Sequence, residues 1–290
     1  MSITNASISL PAEISNEIIS NAVAESAVMR LARRIDLPGH GAAVPVITGD
    51  PTAYFVDEGG VKTNSDATMT TKTMKGRTIA IIEPFSNQFR RDNQALYNEL
   101  VARLPKLLAQ RFDQEVFNGT AVSGFDTLKG ATGVSIDSDV WAGLVAARAA
   151  VEAADGELNG WAMSNQGITK LLGEKTSGGL PVYTAGVTEG EYGRLIGEPI
   201  VRAKKAYAAK TASADEVLGF AGDWTKACYG IVDDISITIS EDATLTTSSG
   251  TLNLFERNMF AVRVEFEVGF IAAMADQFVK LTGTPAHQVG

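Results

Sequence analysis

The stretch Tyr54-Phe55-Val56-Asp57-Glu58-Gly59-Gly60, followed by Thr68-Met69-Thr70-Thr71-Lys72-Thr73-Met74 and then Ile79-Ala80-Ile81-Ile82-Glu83, decides how this chain reads. Residues 54–83 alternate like β-strand, yet the second arm is mostly threonine and lysine and offers little to bury. The spacing predicts a first arm at residues 54–56, a polar break at 57–60 and a second arm at 68–74. A two-stranded ribbon of that composition is at best marginally stable alone in water. Only beyond Arg77 does the pattern turn apolar, where residues 79–82 read as the end of a strand entering a core. The expectation is a long hairpin that projects from a domain and is held down by another copy of the protein. Tyr54, Glu58, Lys62, Lys72 and Lys75 become candidate assembly contacts. This points to assembly rather than catalysis.

Upstream, Ile14, Ile18, Ile19, Val23, Val28, Leu31 and Ile35 recur at spacings near three and four, which predicts a helix within residues 11–35. Pro11 suits its first turn, and Pro38-Gly39-His40-Gly41 closes it. The lead-in at residues 1–9 is too polar to anchor that helix, so its stripe, Ile18 and Val23 included, is expected to pack on a neighbouring subunit or under the long helix that follows. A strand at 43–47 leads through Gly49-Asp50-Pro51 into the hairpin. After Pro84 comes the best helix signal, residues 93–117, with Asp92 as N-cap and Asn118-Gly119 as stop. Leu96, Leu100, Leu104, Leu108, Phe112 and Val116 fall at i+4 steps along it, and its length is roughly 35–40 Å. Pro105 should kink it.

From Gly130 helix and strand alternate: helices at 140–154 and 166–172, strands at 160–164, 199–203 and 217–221, and a glycine-rich loop at 176–193. The last third returns to strands at 229–232, 235–239 and 259–270, with Asp233-Asp234 read as a turn. The fold class is α+β. The first and last thirds are expected to share one sheet, with the middle third inserted as its own domain.

Composition bounds the function. A chain of 290 residues with 45% hydrophobic content suffices for about two domains. A net charge of −9 argues against a surface that grips nucleic acid. The single cysteine, Cys228, excludes an internal disulfide framework and fits a reducing compartment, where it reads as a buried small hydrophobe. No signal-peptide pattern and no membrane-length apolar run is present, so the Asn-x-Ser/Thr triplets at Asn5 and Asn118 read as chance matches. The two histidines, His40 and His287, leave no material for a triad or a zinc site. Neither a Gly-x-Ser-x-Gly elbow nor a phosphate loop occurs, and Gly173-Glu174-Lys175-Thr176 reads as a polar turn. No catalytic, cofactor or metal site is expected. Glu265, Glu267 and Arg263 share a strand face and read as an ion-paired ladder.

The order of elements resembles the major capsid proteins of tailed bacteriophages with the Hong Kong 97-like fold. Three segments carry the resemblance: Ala53-Tyr54-Phe55-Val56-Asp57-Glu58-Gly59 with its polar hairpin, similar to the family's extended loop; Phe85-Ser86 and the helix ending Phe112-Asp113-Gln114-Glu115-Val116-Phe117-Asn118-Gly119, similar to its spine helix; and Leu195-Ile196-Gly197-Glu198-Pro199-Ile200-Val201, Gly222-Asp223-Trp224 and Asn258-Met259-Phe260-Ala261-Val262-Arg263-Val264-Glu265, similar in order to its C-terminal half.

The resemblance implies an N-terminal arm at 1–38, an extended loop at 39–83, a peripheral domain built from 84–132 and 232–290, and an axial domain at 133–231. It implies a shell subunit that forms hexamers and pentamers and closes around double-stranded DNA. Assembly would occur in the host bacterial cytoplasm, with a portal as partner and no membrane; because the chain begins almost directly at the arm, a separate scaffold protein, or none, is implied. An encapsulin-like nanocompartment and a soluble oligomeric enzyme are the alternatives. Some members of the family lock their shells through a lysine-to-asparagine isopeptide bond. The resemblance puts Lys62 at the donor, Asn258 at the acceptor and Glu265 at the carboxylate that takes the lysine proton. Lys62 lies in a polar loop, and Lys72 and Lys75 are rival donors, so ordinary polar contacts between subunits are the favoured reading.

Overall fold

The computed structural model describes residues 25–174, 193–212, 214–247 and 250–283. The chain runs α1 (Ala27–Leu31), β1 (Arg33–Asp36), β2 (Ala42–Gly49), β3 (Thr68–Met74), β4 (Arg77–Ser86), α2 (Asn87–Asp92) and α3 (Gln94–Asn118). It continues with β5 (Thr132–Ser135), α4 (Val140–Ala153), β6 (Gly160–Met163), α5 (Asn165–Gly173), β7 (Arg194–Leu195), β8 (Glu198–Arg202) and β9 (Val217–Gly222). Last come β10 (Ala227–Ser240), β11 (Thr244–Thr247), β12 (Gly250–Asn253), β13 (Met259–Ala272) and β14 (Phe278–Thr282).

Two sheets organise these elements. A four-stranded sheet in the order β1-β10-β13-β4 joins the first and last thirds of the chain. A six-stranded sheet in the order β5-β14-β9-β6-β8-β7 holds the middle third. The leucine stripe explains the position of α3. Leu104, Leu108, Phe112 and Val116 are buried, Phe112 meeting Phe270 of β13 at 6.5 Å, whereas Leu96 near the helix start is exposed. At the far end Phe117 stacks on Phe220 of β9 at 5.0 Å and meets Trp224 edge-on at 6.3 Å, so the end of α3 packs against both sheets. The helix continues through Pro105. On the other side of the six-stranded sheet, Leu144, Ala147 and Val151 of α4 and Ile168 and Leu171 of α5 pack with Trp161, Leu218 and Leu281.

Phe278–Thr282 pairs with β9 and β5 inside the six-stranded sheet, not with the strands that hold the rest of the C-terminal third. The chain therefore passes between the sheets at residues 222–227 and again at 272–278. These two passages lie side by side, joined by the Asp223 N–H donating to the Gln277 carbonyl at 3.1 Å and the Ala273 N–H donating to the Lys226 carbonyl at 2.8 Å.

Four sequence expectations change. The helix predicted within residues 11–35 ends at Leu31; Ala32 is extended, and Ile35 lies in β1, which pairs in parallel with Cys228–Ile231. Backbone pairing along the open side of β10 outweighs the helical spacing of Ile35. Ile14, Ile18, Ile19 and Val23 lie outside the described residues, as does most of the loop at 176–193. The first arm of the hairpin is β2 and not Tyr54-Phe55-Val56, because Ala42 and Val44 pack at the ribbon base and Val46 is buried, while Pro51 offers no N–H just where pairing stops. Asp233-Asp234 is not a turn between strands; the register of β10 slips there and the strand continues. Finally, Asn93, without a side-chain cap bond, precedes α3 in place of Asp92.

Candidate assembly surfaces

The base of the ribbon is built by packing and one ion pair. Met74, at the end of β3, is fully buried with Leu37, Cys228 and Ile271 on the face of the four-stranded sheet away from α3. Beside it the Lys72 ammonium donates to Asp126 Oδ2 at 3.0 Å and to the Ala272 carbonyl at 2.6 Å. The turn into β2 needs Gly41, whose φ is +94° and whose position leaves a Cβ only 2.7 Å from the Met74 carbonyl oxygen. Lys75 closes the base with its N–H on the Gly124 carbonyl at 2.8 Å. Seven registered pairs, from Ala42–Met74 to Gly49–Thr68, then carry the ribbon away from this anchor.

Beyond the last pair, residues 50–67 form the tip. Its ends are tied by the Thr52 N–H donating to Ser65 Oγ at 2.6 Å, and its turn by the Gly60 N–H donating to the Asp57 carbonyl at 2.9 Å. The apolar side chains of the tip are left open to a large extent by their own subunit: Tyr54, Val56 and Val61 are exposed and Phe55 is 110% exposed. Of the residues singled out in the sequence, Tyr54, Glu58 and Lys62 belong to this tip, while Lys72 and Lys75 belong to the base. Isolated exposed apolar residues are unremarkable, but a cluster of three in succession on a projecting tip marks a contact surface.

A second surface is an open groove of about 460 Å³ beside β4. Ile79, Ile81 and the buried Phe125 form its floor. Arg77 and Arg111 stand on its rim, both paired to Glu115 of α3, at 3.2 and 2.9 Å. Arg77 also lies over the Phe125 ring at 5.4 Å. No local pattern signals this groove, since its two arginines are 34 positions apart and meet through Glu115.

A third relationship holds the N-terminal segment on α3. Asp113 is buried on the face of the stripe and accepts from Ser26 Oγ, the Ala27 N–H and the Val28 N–H at 2.5, 2.8 and 3.3 Å. Ser26 Oγ also accepts from the Met29 N–H, capping α1. Burial pushes the Asp113 carboxyl up to about 7 even though the three donors pull the other way. Burial also acts upward on neighbouring Glu25, but its bonds from Lys204 at 3.0 Å and Gln110 at 2.9 Å outweigh that and hold it below the usual range. An acidic residue directly after Phe112 of a buried stripe was the only available hint in the sequence.

Among the described residues no group of three or more His, Cys, Asp or Glu side chains is placed to hold a metal. No described helix is long and apolar enough to cross a membrane.

The profile of the phage capsid family matches residues 6–283. The chain belongs to the phage capsid family. Relatives in sequence include a protein of Mycobacterium phage L5 named "Probable major capsid protein", 27% identical over 96% of this chain and 90% of its own. Another is the "Major capsid protein" of Staphylococcus phage 80alpha, 24% identical over 93% of this chain and 83% of its own. Solved structures with the same fold include one from Mycobacterium phage Ogopogo, with a TM-score of 0.75 at 17% identity, covering 89% of this chain and 92% of that one. One titled as the capsid of an empty GTA particle has a TM-score of 0.65 at 13% identity, over 98% and 95%.

In this phage capsid chain the three residues assigned to a cross-link occupy unlike places. Lys62 is on the exposed tip. Asn258 sits in a left-handed turn at φ 52°, where its carbonyl accepts from the Asn87 N–H at 3.1 Å and its Oδ1 from Asn87 Nδ2 at 3.0 Å. Glu265 pairs with Arg263 at 3.3 Å, as the ladder reading expects. Its neighbours Val264 and Phe266 are buried on the opposite face of β13, so they do not surround its carboxylate.

Proposed function

We propose that the protein is the major capsid subunit of a tailed phage, self-assembling into a closed icosahedral-type shell around double-stranded DNA. Membership of the phage capsid family across residues 6–283 supports a structural rather than an enzymatic role. The capsid names of its relatives favour this reading over a soluble oligomeric enzyme. The observation that carries it is the projecting β2–β3 ribbon: anchored at its base, it holds a tip whose apolar residues Tyr54, Phe55, Val56 and Val61 are all exposed.

In Hong Kong 97-like terms, residues 1–38 act as the arm, 39–83 as the extended loop and α3 as the spine helix. The four-stranded sheet belongs to the peripheral domain. Residues 133–226, together with β14, make the axial domain that meets its copies in hexamers and pentamers, because from Ala227 onward β10 pairs within the four-stranded sheet. The shell is assembled in the host cytoplasm with a separate scaffold and a portal, and it ends in the virion. A net charge of −9 suits a container that must release its genome, because its 34 acidic side chains outnumber its 25 Lys and Arg and oppose tight binding of DNA phosphates.

Sedimentation followed by negative-stain imaging of the purified protein tests the proposal. Closed particles of uniform size are expected, and a homogeneous small oligomer at all concentrations would overturn it.

A further inference from the structure

We propose that the open notch between α1, the middle of α3 and the end of β8 binds a single phosphate group, with Arg30, Arg202, Lys204 and Lys205 as its donors. The notch shares no residue with the ribbon or with the groove beside β4, and the inference goes beyond the shell reading without needing it.

Charge is the first argument. Four of the side chains that line the notch are cationic: Arg30 from α1, Arg202 from β8, and Lys204 and Lys205 from the turn that follows β8. They gather in a chain whose net charge is −9. Cations held this close repel one another, and an anion between them removes the repulsion. The carboxylates that line the notch do not cancel it. Asp113 turns its oxygens to Ser26 and to the Ala27 and Val28 N–H groups, and Glu25 accepts from Lys204 and Gln110. With both of them counted as charged, four cations against two carboxylates leave an excess among the lining residues. The half-buried Lys205 makes no ion pair among the described residues.

Size and lining decide the class of anion. The volume of about 160 Å³ falls below the roughly 300–1,000 Å³ of sites that enclose larger organic ligands. At ~30 Å³ per water it has room for about five waters, the scale of one tetrahedral oxyanion with part of its hydration. Every lining side chain is polar or charged, so nothing there seats a base or a hydrocarbon. Guanidinium forks match paired phosphate oxygens, and the ammonium groups add point charge. Such a ligand braces the N-terminal segment, through Arg30, to the six-stranded sheet, through Arg202. A free phosphate ion and a nucleic-acid backbone both offer this group. One contact per subunit falls short of the roughly 6–10 that hold a DNA-binding protein in place, so a genome resting on this notch is still released.

Thermal unfolding of the full chain as unassembled subunit tests the site, with inorganic phosphate titrated against sodium acetate of equal ionic strength. Phosphate should raise the melting temperature saturably, by roughly 2–4 °C at ten times its Kd, and acetate should not. The shift should vanish in Arg202→Gln combined with Lys205→Gln. It should persist in Lys129→Gln combined with Lys226→Gln, which removes as many charges from exposed positions outside the notch. The readout is the increment that phosphate adds to each protein, so a variant's own stability does not enter it, and general salting-out would move both variants alike. Calorimetric titration should give one phosphate per subunit. A short DNA duplex separates the two sources. Competition with phosphate, with a slope of about −0.9 in log affinity against log salt, supports the site and assigns it to the backbone, whereas saturable phosphate binding without competition supports it and assigns it to the free ion. Equal shifts in the two double variants, an equal shift with acetate, or no saturable shift in the parent would overturn the site, whatever particles the chain forms.

Discussion

The Ser26 hydroxyl donates to Asp113 Oδ1 at 2.5 Å across 87 residues of sequence. A short polar contact, fully enclosed by the core, thus holds the N-terminal segment on the long helix.

That contact should respond to pH. The Asp113 carboxyl is held at about 7 in the folded subunit against an ordinary 3.8. A raised folded value means stability is complete below about pH 3.8 and is lost as pH rises through 7. At ~1.4 kcal/mol per unit the full swing is about 4 kcal/mol. The Asp113→Asn variant carries no such charge. Its melting temperature relative to the parent should therefore rise between pH 4 and pH 8, and a difference that stays constant with pH would refute the assignment.

Replacing residues 50–67 with Asn-Gly should join Gly49 to Thr68 through a two-residue hairpin turn and keep the register of the ribbon. The melting temperature should stay within a few degrees of the parent, because no tip side chain contributes to the core. Closed particles should be absent by negative stain. Particles of normal size would show that the tip is dispensable.

The ribbon base and ribbon surface should differ sharply. Met74→Ala empties a fully buried site and should cost ~2–5 kcal/mol, whereas Met69→Ala, at a site 69% exposed, should stay within about 0.5 kcal/mol. Chemical denaturation of the two variants measures both. Equal effects would mean that the register of β3 is wrong.

Boiled in detergent, mature particles should run as a single band at 30.6 kDa. Lys72 is already engaged by Asp126 and the Ala272 carbonyl, and the Asn258 amide is held by Asn87. A ladder abolished by Lys62→Ala and by Asn258→Ala would instead establish the covalent bond.

What was legible in the sequence is what periodicity encodes locally. The i+4 leucine stripe located α3, and the alternation over residues 259–270 located β13, which runs to Ala272, because each element's own spacing matches the face it buries. Pairing partners were not legible. Ile35 fits a helical stripe and also an edge strand, and only the presence of Cys228–Ile231 alongside decides between them. Tyr54-Phe55-Val56 reads as a strand because aromatic and β-branched residues favour one, yet it has no partner across from it. The groove has no sequence signature because it is assembled from distant positions, and Asp113 has none because its donors, Ser26, Ala27 and Val28, lie more than 80 residues upstream.

The paired passages at residues 222–227 and 272–278 have a mechanical consequence. A single strand joining two bodies lets them swivel. Two strands joined crosswise, by Asp223 to Gln277 and Ala273 to Lys226, resist that rotation as a pair of parallel straps does. With Phe117 of α3 wedged against Phe220 and Trp224 beside them, the two halves are clamped at three places, so a load applied to one sheet is handed to the other and not dissipated in the joint.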